Sequence, residues 1–241
     1  MTWYDNNRRT LPWRVGKKST NQLYYRILSE FMLQQTQVKT VIPYFEKFTK
    51  KFRNLKSLSK ASEKKVLKLW EGLGYYRRAR NLLATSKILV KKYNSKLPRE
   101  IKEIKNLPGI GEYTSNVLAA LIYNKSTLAL DGNVKRVVSR ILNMEVEKID
   151  FENFKNINRK NIFNTSRNSD LVEAMMEFGA LICNSKIPKC EICPIKKNCK
   201  FYKSKGKIKH LKKEVIDKNI NIFCYLSKKG EIALTKKNNL G

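Results

Sequence analysis

Four of the five cysteines in this chain lie within 17 residues, in the pattern C-x6-C-x2-C-x5-C, and they are Cys183, Cys190, Cys193 and Cys199. Four unrelated buried cysteines would have no reason to be so close together, so the pattern indicates a metal centre. Zinc sites with four cysteines usually use two C-x2-C pairs separated by a longer loop, whereas this segment has one such pair. The spacing therefore favours a [4Fe–4S] cluster, which binds one cysteine at each iron.

The charge of the chain points to a polyanionic partner. Lysine and arginine together number 51 against 20 aspartates and glutamates, which gives a formal net charge of +31. Neutralising phosphates releases counterions and so stabilises complexes of basic proteins with nucleic acids. A genome rich in Lys and Asn explains part of the lysine excess, but it does not explain the shortage of acidic residues. Nucleic acid is the favoured partner, and a membrane surface is a distant second.

The sequence predicts a protein of the cytoplasm, associated with the nucleoid if the source is bacterial. No stretch approaches the roughly 20 consecutive apolar residues that a membrane-spanning helix needs. The first nine residues, MTWYDNNRR, contain neither an apolar core nor the cleavage site of a signal peptide. Cysteines stay reduced in the cytoplasm, which agrees with a metal-binding role for the four clustered thiols.

Apolar residues recur at helical spacing through most of the chain, which predicts an all-α main body. The clearest stripe runs from Val134 to Leu142. Residues 204–218 are predicted to be a basic linker without a periodic apolar face. Residues 219–241 contain two strand-like segments around a turn, which predicts the start of a β domain with Cys224 as an ordinary core residue.

The segment Leu107-Pro108-Gly109-Ile110-Gly111 separates a short helical pattern from a very apolar helix that starts at Glu112. Proline ends the first helix, and the glycines permit the positive φ of a tight turn. Backbone N–H groups at such a turn and at the next helix N-terminus can bind phosphate. Leu-Pro-Gly alone is a common turn, but together with the charge and the cysteines it predicts a helix–hairpin–helix DNA clamp.

Two carboxylates stand out by their positions. Glu30 interrupts the apolar run ILSEFML, where burial would raise its pKa into the range of a general acid. The alternative is a surface glutamate on the polar edge of a helix. Asp131 directly precedes the stripe that begins at Val134, and its alternative interpretation is a helix N-cap. Neither position decides a function by itself.

Several motifs closely resemble the MutY-type adenine DNA glycosylases of the helix–hairpin–helix and endonuclease III superfamily. They keep their order along residues 1–205 and comprise SEFMLQQTQV at 29–38, GLGYYRRARN at 72–81, LDGNVKRV at 130–137, MMEFGA at 175–180, and the tryptophans at 3 and 13 with their neighbours. The resemblance implies a helical barrel with the hairpin over 20–131, and a second helical domain, with the cluster, formed by 1–19 and 132–203. It also implies that residues 219–241 are an incomplete segment of a Nudix-like C-terminal domain, truncated relative to the family.

The resemblance also implies roles for the two carboxylates. Glu30 would protonate adenine so that the base can leave, and Asp131 would stabilise the oxocarbenium-like sugar, as paired carboxylates do in glycosidases. The adenine must first be flipped out of the duplex. Gln35 and Tyr75 match positions that enter the duplex, although ordinary packing of Tyr75 and a helix-end role for Gln35 are the alternatives. Leu107, Gly109 and Gly111 would hold the DNA backbone.

Three further residues, Tyr113, Asn133 and Glu173, match the lining of the family's base pocket. Endonuclease III relatives have a lysine at the Tyr113 position, where it forms a Schiff base with the sugar and cuts the strand. A tyrosine there implies a monofunctional enzyme. The leading interpretation is thus a monomeric base-excision repair hydrolase that removes adenine opposite 8-oxoguanine or guanine in double-stranded DNA.

Two alternatives remain at this point. The chain could be a superfamily glycosylase for another base, such as thymine or an oxidised pyrimidine. Glu30 argues against this, since pyrimidines leave more easily without protonation of a ring nitrogen. The chain could also be a non-catalytic iron–sulfur DNA-binding protein, but then both Glu30 and Asp131 would be incidental.

Overall fold

A computed structural model places residues 1–16, 19–157 and 165–206, and these are the residues that the structure describes. They form twelve α-helices and two short 3-10 turns, without a β-strand in the described ranges. The all-α main body predicted from the apolar periodicity is confirmed there. The predicted β segment at 219–241 and most of the predicted linker lie outside the described residues. Within the described ranges, no helix is both long and apolar enough to cross a membrane.

The helices follow one another with short connections. In chain order they are α1 (Thr2–Asn7), α2 (Gln22–Leu33), α3 (Val38–Lys51), α4 (Leu55–Ser59), α5 (Glu63–Trp70), α6 (Arg77–Tyr93), α7 (Ile101–Lys105), α8 (Glu112–Tyr123), α9 (Gly132–Leu142), α10 (Phe151–Ile157), α11 (Asn168–Leu181) and α12 (Lys200–Lys203). The 3-10 turns are Val146–Lys148 and Lys196–Asn198.

Polar side chains fix where several helices begin and end. Asn54 and Ser57 form a capping box at the start of α4, where each side chain accepts from the other residue's backbone N–H. Helices α6, α8 and α9 each end at an asparagine in the left-handed conformation, namely Asn94, Asn124 and Asn143. Asparagine tolerates positive φ better than other residues with a side chain, so it suits the ends of these three helices.

The largest apolar core lies among α2 to α8. Phe31 on α2, Phe48 on α3, Trp70 on α5 and Leu82 on α6 are all fully buried in it. The rings of Phe48 and Trp70 meet edge to face with their centroids 5.9 Å apart. Burial of such aromatic side chains dominates the stability of a core. This core fixes α2, which carries Glu30, against the helix that follows the glycine hairpin.

Smaller apolar clusters join α8, α9 and α11. Val134, Val137 and Val138 on α9 are buried, as their helical spacing predicts. Trp3 of α1 packs edge to face on Phe178 of α11, with ring centroids 5.3 Å apart, so the N-terminal segment is held beside residues far along the chain. All described residues lie within one compact unit, Met1–Ile208, and the division into 20–131 and 1–19 with 132–203 stays a prediction.

Candidate active site

Five segments of the chain line one cleft with a volume of about 830 Å³. They are the N-terminal segment before α2, the end of α2 with the start of α3, and parts of α8, α9 and α11. Six of the residues that the sequence singles out line this cleft, namely Glu30, Gln35, Tyr113, Asp131, Asn133 and Glu173. The fold thus brings together the two predicted catalytic carboxylates and the predicted base-pocket residues.

Glu30 lies in the last turn of α2 and faces the cleft. Burial raises the pKa of its carboxyl from 4.5 to about 7, the direction expected from its apolar neighbours in the sequence. Arg26, one helical turn earlier, opposes this rise in pKa, whereas the carboxylates of Glu173 and Asp131 reinforce it. A carboxyl with this pKa can hold a proton near neutral pH and release it to a bound base.

Asp131 is the N-cap of α9 and also lines the cleft. Its Oδ1 accepts a hydrogen bond from the backbone N–H of Val134 at 2.7 Å, and its Oδ2 accepts one from Nδ2 of Asn133 at 3.1 Å. The N-cap interpretation is therefore correct as a structural description. It does not compete with a chemical role, because these two hydrogen bonds fix the carboxylate at the wall of the cleft.

Tyr113 stands in the first turn of α8 and faces Glu30 and Asp131 across the cleft. Its hydroxyl donates to the sulfur of Met176 at 3.8 Å. Burial, and then the charges of Glu30 and Asp131, raise the pKa of this phenol well above its usual value. Tyr113 is therefore neutral and presents a ring and a hydroxyl, rather than an amine, to whatever enters the cleft.

Glu173 and Glu177 on α11 form a buried ion-pair network with arginines that the sequence did not single out. The Glu173 carboxylate accepts from the hydroxyl of Tyr4 at 2.6 Å and from Nη1 of Arg26 at 2.5 Å. It also accepts from Nε of Arg14 at 3.2 Å. Since its oxygens are engaged by these donors, Glu173 sits in the cleft wall as part of a paired network.

Glu177 completes this network and is fully buried. Arg9 donates to it from Nη2 at 2.6 Å and Arg14 donates from Nη2 at 3.1 Å. The guanidinium of Arg9 holds the pKa of Glu177 below its usual range against the opposing effect of burial, which is the largest single influence. The two arginines therefore fasten the N-terminal segment to α11.

The N-terminal segment contributes more to the cleft than its sequence pattern predicts. Leu11, Trp13 and Arg14 line the cleft beside the carboxylates. This segment has no periodic apolar face, so only its match to the family motif could have indicated a place near the site. Trp13 is 3% exposed and packs edge to face on Phe45 of α3, which holds the segment in position.

Gln35 and Tyr75 project from two neighbouring turns. Both adopt the left-handed region, with φ of 56° for Gln35 and 47° for Tyr75. Gln35 is exposed at the edge of the cleft, whereas Tyr75 is 65% exposed and does not belong to the cleft lining. Exposed side chains on strained turns are often functional, because such strain persists only where the surrounding structure imposes it.

The predicted hairpin lies between α7 and α8, next to α2. Gly109 has a φ of 75°, and a Cβ there would come within 2.8 Å of Asn81 and Phe31, so both conformation and space require glycine. Gly111 differs from the prediction: it is the N-cap of α8 with φ of −91°, a conformation open to other residues. Among the described residues, neither glycine's backbone N–H has a hydrogen-bond acceptor. Both groups are therefore available to a phosphate.

The four clustered cysteines line one small cavity between α9, α11 and α12, and none of them is in a disulfide. Arg140 of α9 holds their loop, since its Nη1 donates to the carbonyl oxygen of Asn184 at 2.6 Å and lies 3.4 Å from Sγ of Cys183. The thiol of Cys199 donates to the carbonyl oxygen of Arg140 at 3.4 Å. Four thiols around one apolar cavity are a suitable donor set for a group with several metal atoms.

In the described ranges, no three side chains of His, Cys, Asp or Glu are close enough together to bind a metal ion directly. The four thiols nevertheless border the same cavity. A four-iron cluster would bind one cysteine at each of its four irons.

The chain is similar to several known DNA repair proteins. Residues 28–160 match the HhH-GPD superfamily base excision DNA repair proteins. The chain is similar over its whole length, with 41% identity, to the adenine DNA glycosylase of Buchnera aphidicola subsp. Baizongia pistaciae (strain Bp), and it spans 69% of that protein. It is also 35% identical to the adenine DNA glycosylase of Mus musculus over 84% of this chain, but over only 41% of that protein.

The fold is similar to that of solved repair enzymes. A structure of a thermostable thymine-DNA glycosylase superposes with a TM-score of 0.71 at 26% sequence identity. The superposition covers 84% of this chain and 93% of the other.

Proposed function

The chain belongs to the HhH-GPD superfamily of base excision DNA repair proteins and, within it, to the adenine DNA glycosylases, and from that premise we propose that it hydrolyses the N-glycosidic bond of adenine mispaired with 8-oxoguanine or guanine. One observation carries the proposal. Glu30, a carboxyl with a pKa of about 7, shares a cleft with the carboxylate of Asp131. The cleft volume of about 830 Å³ is ample for a nucleoside flipped out of duplex DNA.

The proposed reaction divides the work between the two carboxylates. Glu30, which a pKa of about 7 leaves partly protonated at neutral pH, donates its proton to a ring nitrogen of adenine as the bond to the sugar breaks. Asp131 stabilises the positive charge that develops on the sugar, and water then completes the hydrolysis. Both hydrogen bonds that the Asp131 carboxylate accepts come from its own helix, which keeps the carboxylate fixed while this charge develops.

The proposed base pocket uses Tyr113, Asn133 and Glu173. Tyr113 offers a ring for stacking, and its neutral hydroxyl cannot form a Schiff base with the sugar. We therefore propose a monofunctional enzyme that leaves an abasic site without cutting the strand. Asn133 is held by Asp131 and by Arg136, whose Nη2 donates to its Oδ1 at 2.7 Å.

The proposed DNA surface combines the hairpin with the two projecting side chains. The free backbone N–H groups of Gly109 and Gly111 bind phosphate, and Leu107 anchors the hairpin in the apolar core. Gln35 and Tyr75 enter the duplex and fill the space left by the flipped adenine. The net charge of +31 supplies the general attraction to DNA. We propose that the protein acts as a monomer on chromosomal DNA in the cytoplasm.

We propose that Cys183, Cys190, Cys193 and Cys199 hold a [4Fe–4S] cluster. The support is the donor set: four unpaired thiols line one apolar cavity, with the guanidinium of Arg140 beside Cys183. When bound, the cluster supplies four iron–thiolate bonds that tie this loop together. Lys189 and Lys196 also line the cavity and keep positive charge near the loop.

A second candidate is thymine excision, since the thermostable thymine-DNA glycosylase shares the fold at 26% identity. Glu30 favours adenine, because a general acid assists a purine that must be protonated at a ring nitrogen to leave. The two proposals predict different substrates, so one assay separates them.

The experiment uses labelled duplexes with adenine opposite 8-oxoguanine, guanine or thymine, and a duplex with thymine opposite guanine. After incubation with the protein, half of each sample is treated with hot alkali. Cleavage at the mispaired adenine only after alkali is the expected result. Cleavage at thymine would support the second candidate, and cleavage without alkali would contradict monofunctionality. In size-exclusion chromatography, elution at the mass of one chain would support a monomer.

A further inference from the structure

Arg78 connects the two turns that carry Gln35 and Tyr75. It lies in the first turn of α6 and is 6% exposed. Its Nη1 lies within 2.5–3.3 Å of the carbonyl oxygens of Phe31, Met32 and Gln34. A guanidinium in this position caps the last turn of α2, where helix carbonyls lack partners within the helix.

The same guanidinium reaches the second turn. Its Nη2 donates to the carbonyl oxygens of Leu73 and Gly74 at 3.0 and 3.1 Å. Its carbon lies 5.5 Å from the ring centroid of Trp70 and 5.5 Å from that of Tyr75. One edge of the guanidinium therefore donates to the turn before Tyr75, and its flat face packs near the tyrosine ring.

Gln35 is held on both sides by this arginine. The carbonyl oxygen of Gln34 and the hydroxyl of Thr36 both contact Nη1 of Arg78, at 2.5 and 3.1 Å. Gln35 has φ of 56° and Tyr75 has φ of 47°. Neither residue favours this conformation, so external contacts must maintain it. Arg78 supplies such contacts to both turns at once.

We infer that Arg78 is a positioning residue that fixes Gln35 and Tyr75 relative to each other, so that the two side chains enter the duplex together. The inference rests on the proposed function, since it assumes that these two residues enter the DNA. It goes beyond a capping role for one helix. The planar guanidinium is needed for this role, because the single ammonium of a lysine could donate to one turn but could not reach both.

The first test compares wild type with Arg78→Lys on a duplex with adenine opposite 8-oxoguanine. Under single-turnover conditions with saturating protein, we expect excision to slow about tenfold, while the affinity for duplex changes much less. A duplex with 2-aminopurine in place of the target adenine gives a second readout, because its fluorescence rises on unstacking. In an Asp131→Asn background, which keeps the base attached, Arg78→Lys should show a smaller rise in fluorescence.

A double-mutant cycle distinguishes positioning from general stability. In a protein that already carries Gln35→Ala and Tyr75→Ala, adding Arg78→Lys should produce no further loss of excision. Full additivity of the losses would overturn the inference. Equal excision and equal fluorescence for wild type and Arg78→Lys would also overturn it.

A second variant keeps the test decisive if Arg78→Lys folds poorly. Thr36→Val leaves the arginine in place but removes one of its acceptors beside Gln35, together with the hydrogen bond from the Thr36 hydroxyl to the carbonyl oxygen of Gln34 at 3.4 Å. Its matched control is Thr40→Val, an exposed threonine on α3. We expect Thr36→Val to reduce the fluorescence rise and Thr40→Val to leave it unchanged. Identical behaviour of the two variants would contradict the role of Arg78.

Failure of the proposed function gives a different pattern. If wild type excised no adenine, the fluorescence assay would still report whether Arg78 controls unstacking, because unstacking precedes the chemical step. Normal adenine excision by both wild type and Arg78→Lys, with equal fluorescence, would overturn only the inference about Arg78.

Discussion

Arg136 of α9 donates a hydrogen bond from Nε to the carbonyl oxygen of Cys183 at 2.9 Å. Its Nη2 donates to Oδ1 of Asn133 and to the carbonyl oxygen of Gly179, both at 2.7 Å. The amide of Asn133 in turn donates to Asp131 at 3.1 Å. A continuous series of hydrogen bonds therefore joins the first cysteine of the loop to the carboxylate that we propose acts on the sugar.

This connection predicts that Arg136→Met slows adenine excision about tenfold, because residues that orient a primary ligand or carboxylate commonly have effects of this size. The variant removes the hydrogen bond from Arg136 to Oδ1 of Asn133, so that the amide that donates to Asp131 is held less firmly. Single-turnover excision measures the effect. Lys135→Met on the same helix is the control, since Lys135 contacts the ring of Phe151 rather than this series. Equal rates for Arg136→Met and Lys135→Met would show that the connection has no catalytic importance.

The two roles of Asp131 can be separated by substitution. Asparagine is an N-cap about as good as aspartate, so Asp131→Asn should keep the stability of α9 yet slow excision about a thousandfold. Asp131→Ala loses the cap as well and should cost about 1 kcal/mol in the free energy of unfolding. Urea unfolding and single-turnover excision measure the two effects. Retained excision by Asp131→Asn would contradict the proposed role of the carboxylate.

Local patterns in the sequence predict the helices and several of the side chains that the fold brings to the cleft. The stripe from Val134 to Leu142 became α9, and Asp131 before it became both N-cap and cleft residue. Glu30 was correctly expected to have a raised pKa, although its charged neighbours Arg26 and Glu173 come from tertiary contacts that a local apolar run does not reveal. These features were predictable because helical period, capping and cysteine spacing are properties of short segments.

The arginine contacts were not predictable in this way. Every lysine or arginine that is fully buried in the described ranges is an arginine: Arg26, Arg78 and Arg140. Each binds groups distant in sequence, so no short pattern indicates its partners. Lysine is the commoner basic residue in this chain. The sequence signal for such a contact was therefore an arginine within an apolar helical stripe, because one guanidinium can donate to several buried oxygens at once.

The cysteine loop gives a prediction about iron. Cys190→Ser should lower iron and sulfide below the roughly four of each per chain expected for the cluster, and should weaken the broad visible absorption of the protein. Cys224→Ser is the matched control and should keep full iron content, since Cys224 is predicted to be no ligand and lies outside the described residues. Zinc in place of iron in the purified wild type would contradict the cluster assignment.

Glu30 should control the pH dependence of excision. Its pKa of about 7 means that the protonated form needed for catalysis is lost as the pH rises through 7. Wild type should therefore lose single-turnover excision on the alkaline side of pH 7. Glu30→Gln should be slower by about a hundredfold or more and should lack this dependence on pH. An unchanged pH profile in Glu30→Gln would rule out Glu30 as the general acid.

Glu30 should also reduce the stability of the folded protein at neutral and alkaline pH. Its pKa is raised on folding from the ordinary 4.5 to about 7, so the folded state binds the proton more tightly than the unfolded state. Its contribution to stability is fully present below pH 4.5 and is lost as the pH rises to 7. Above pH 7, Glu30→Gln should be more stable than wild type by at most about 3 kcal/mol.

Urea unfolding at pH 5 and pH 8 measures this difference. The advantage of Glu30→Gln over wild type should be small at the lower pH and near its maximum at the higher one. Glu46→Gln is the control, because Glu46 is exposed on α3 and its substitution should give the same small change at both values. If the gain in unfolding free energy of Glu30→Gln over wild type did not grow with pH, folding could not raise the pKa of Glu30. The carboxyl would then lack the proton that the proposed reaction requires from it.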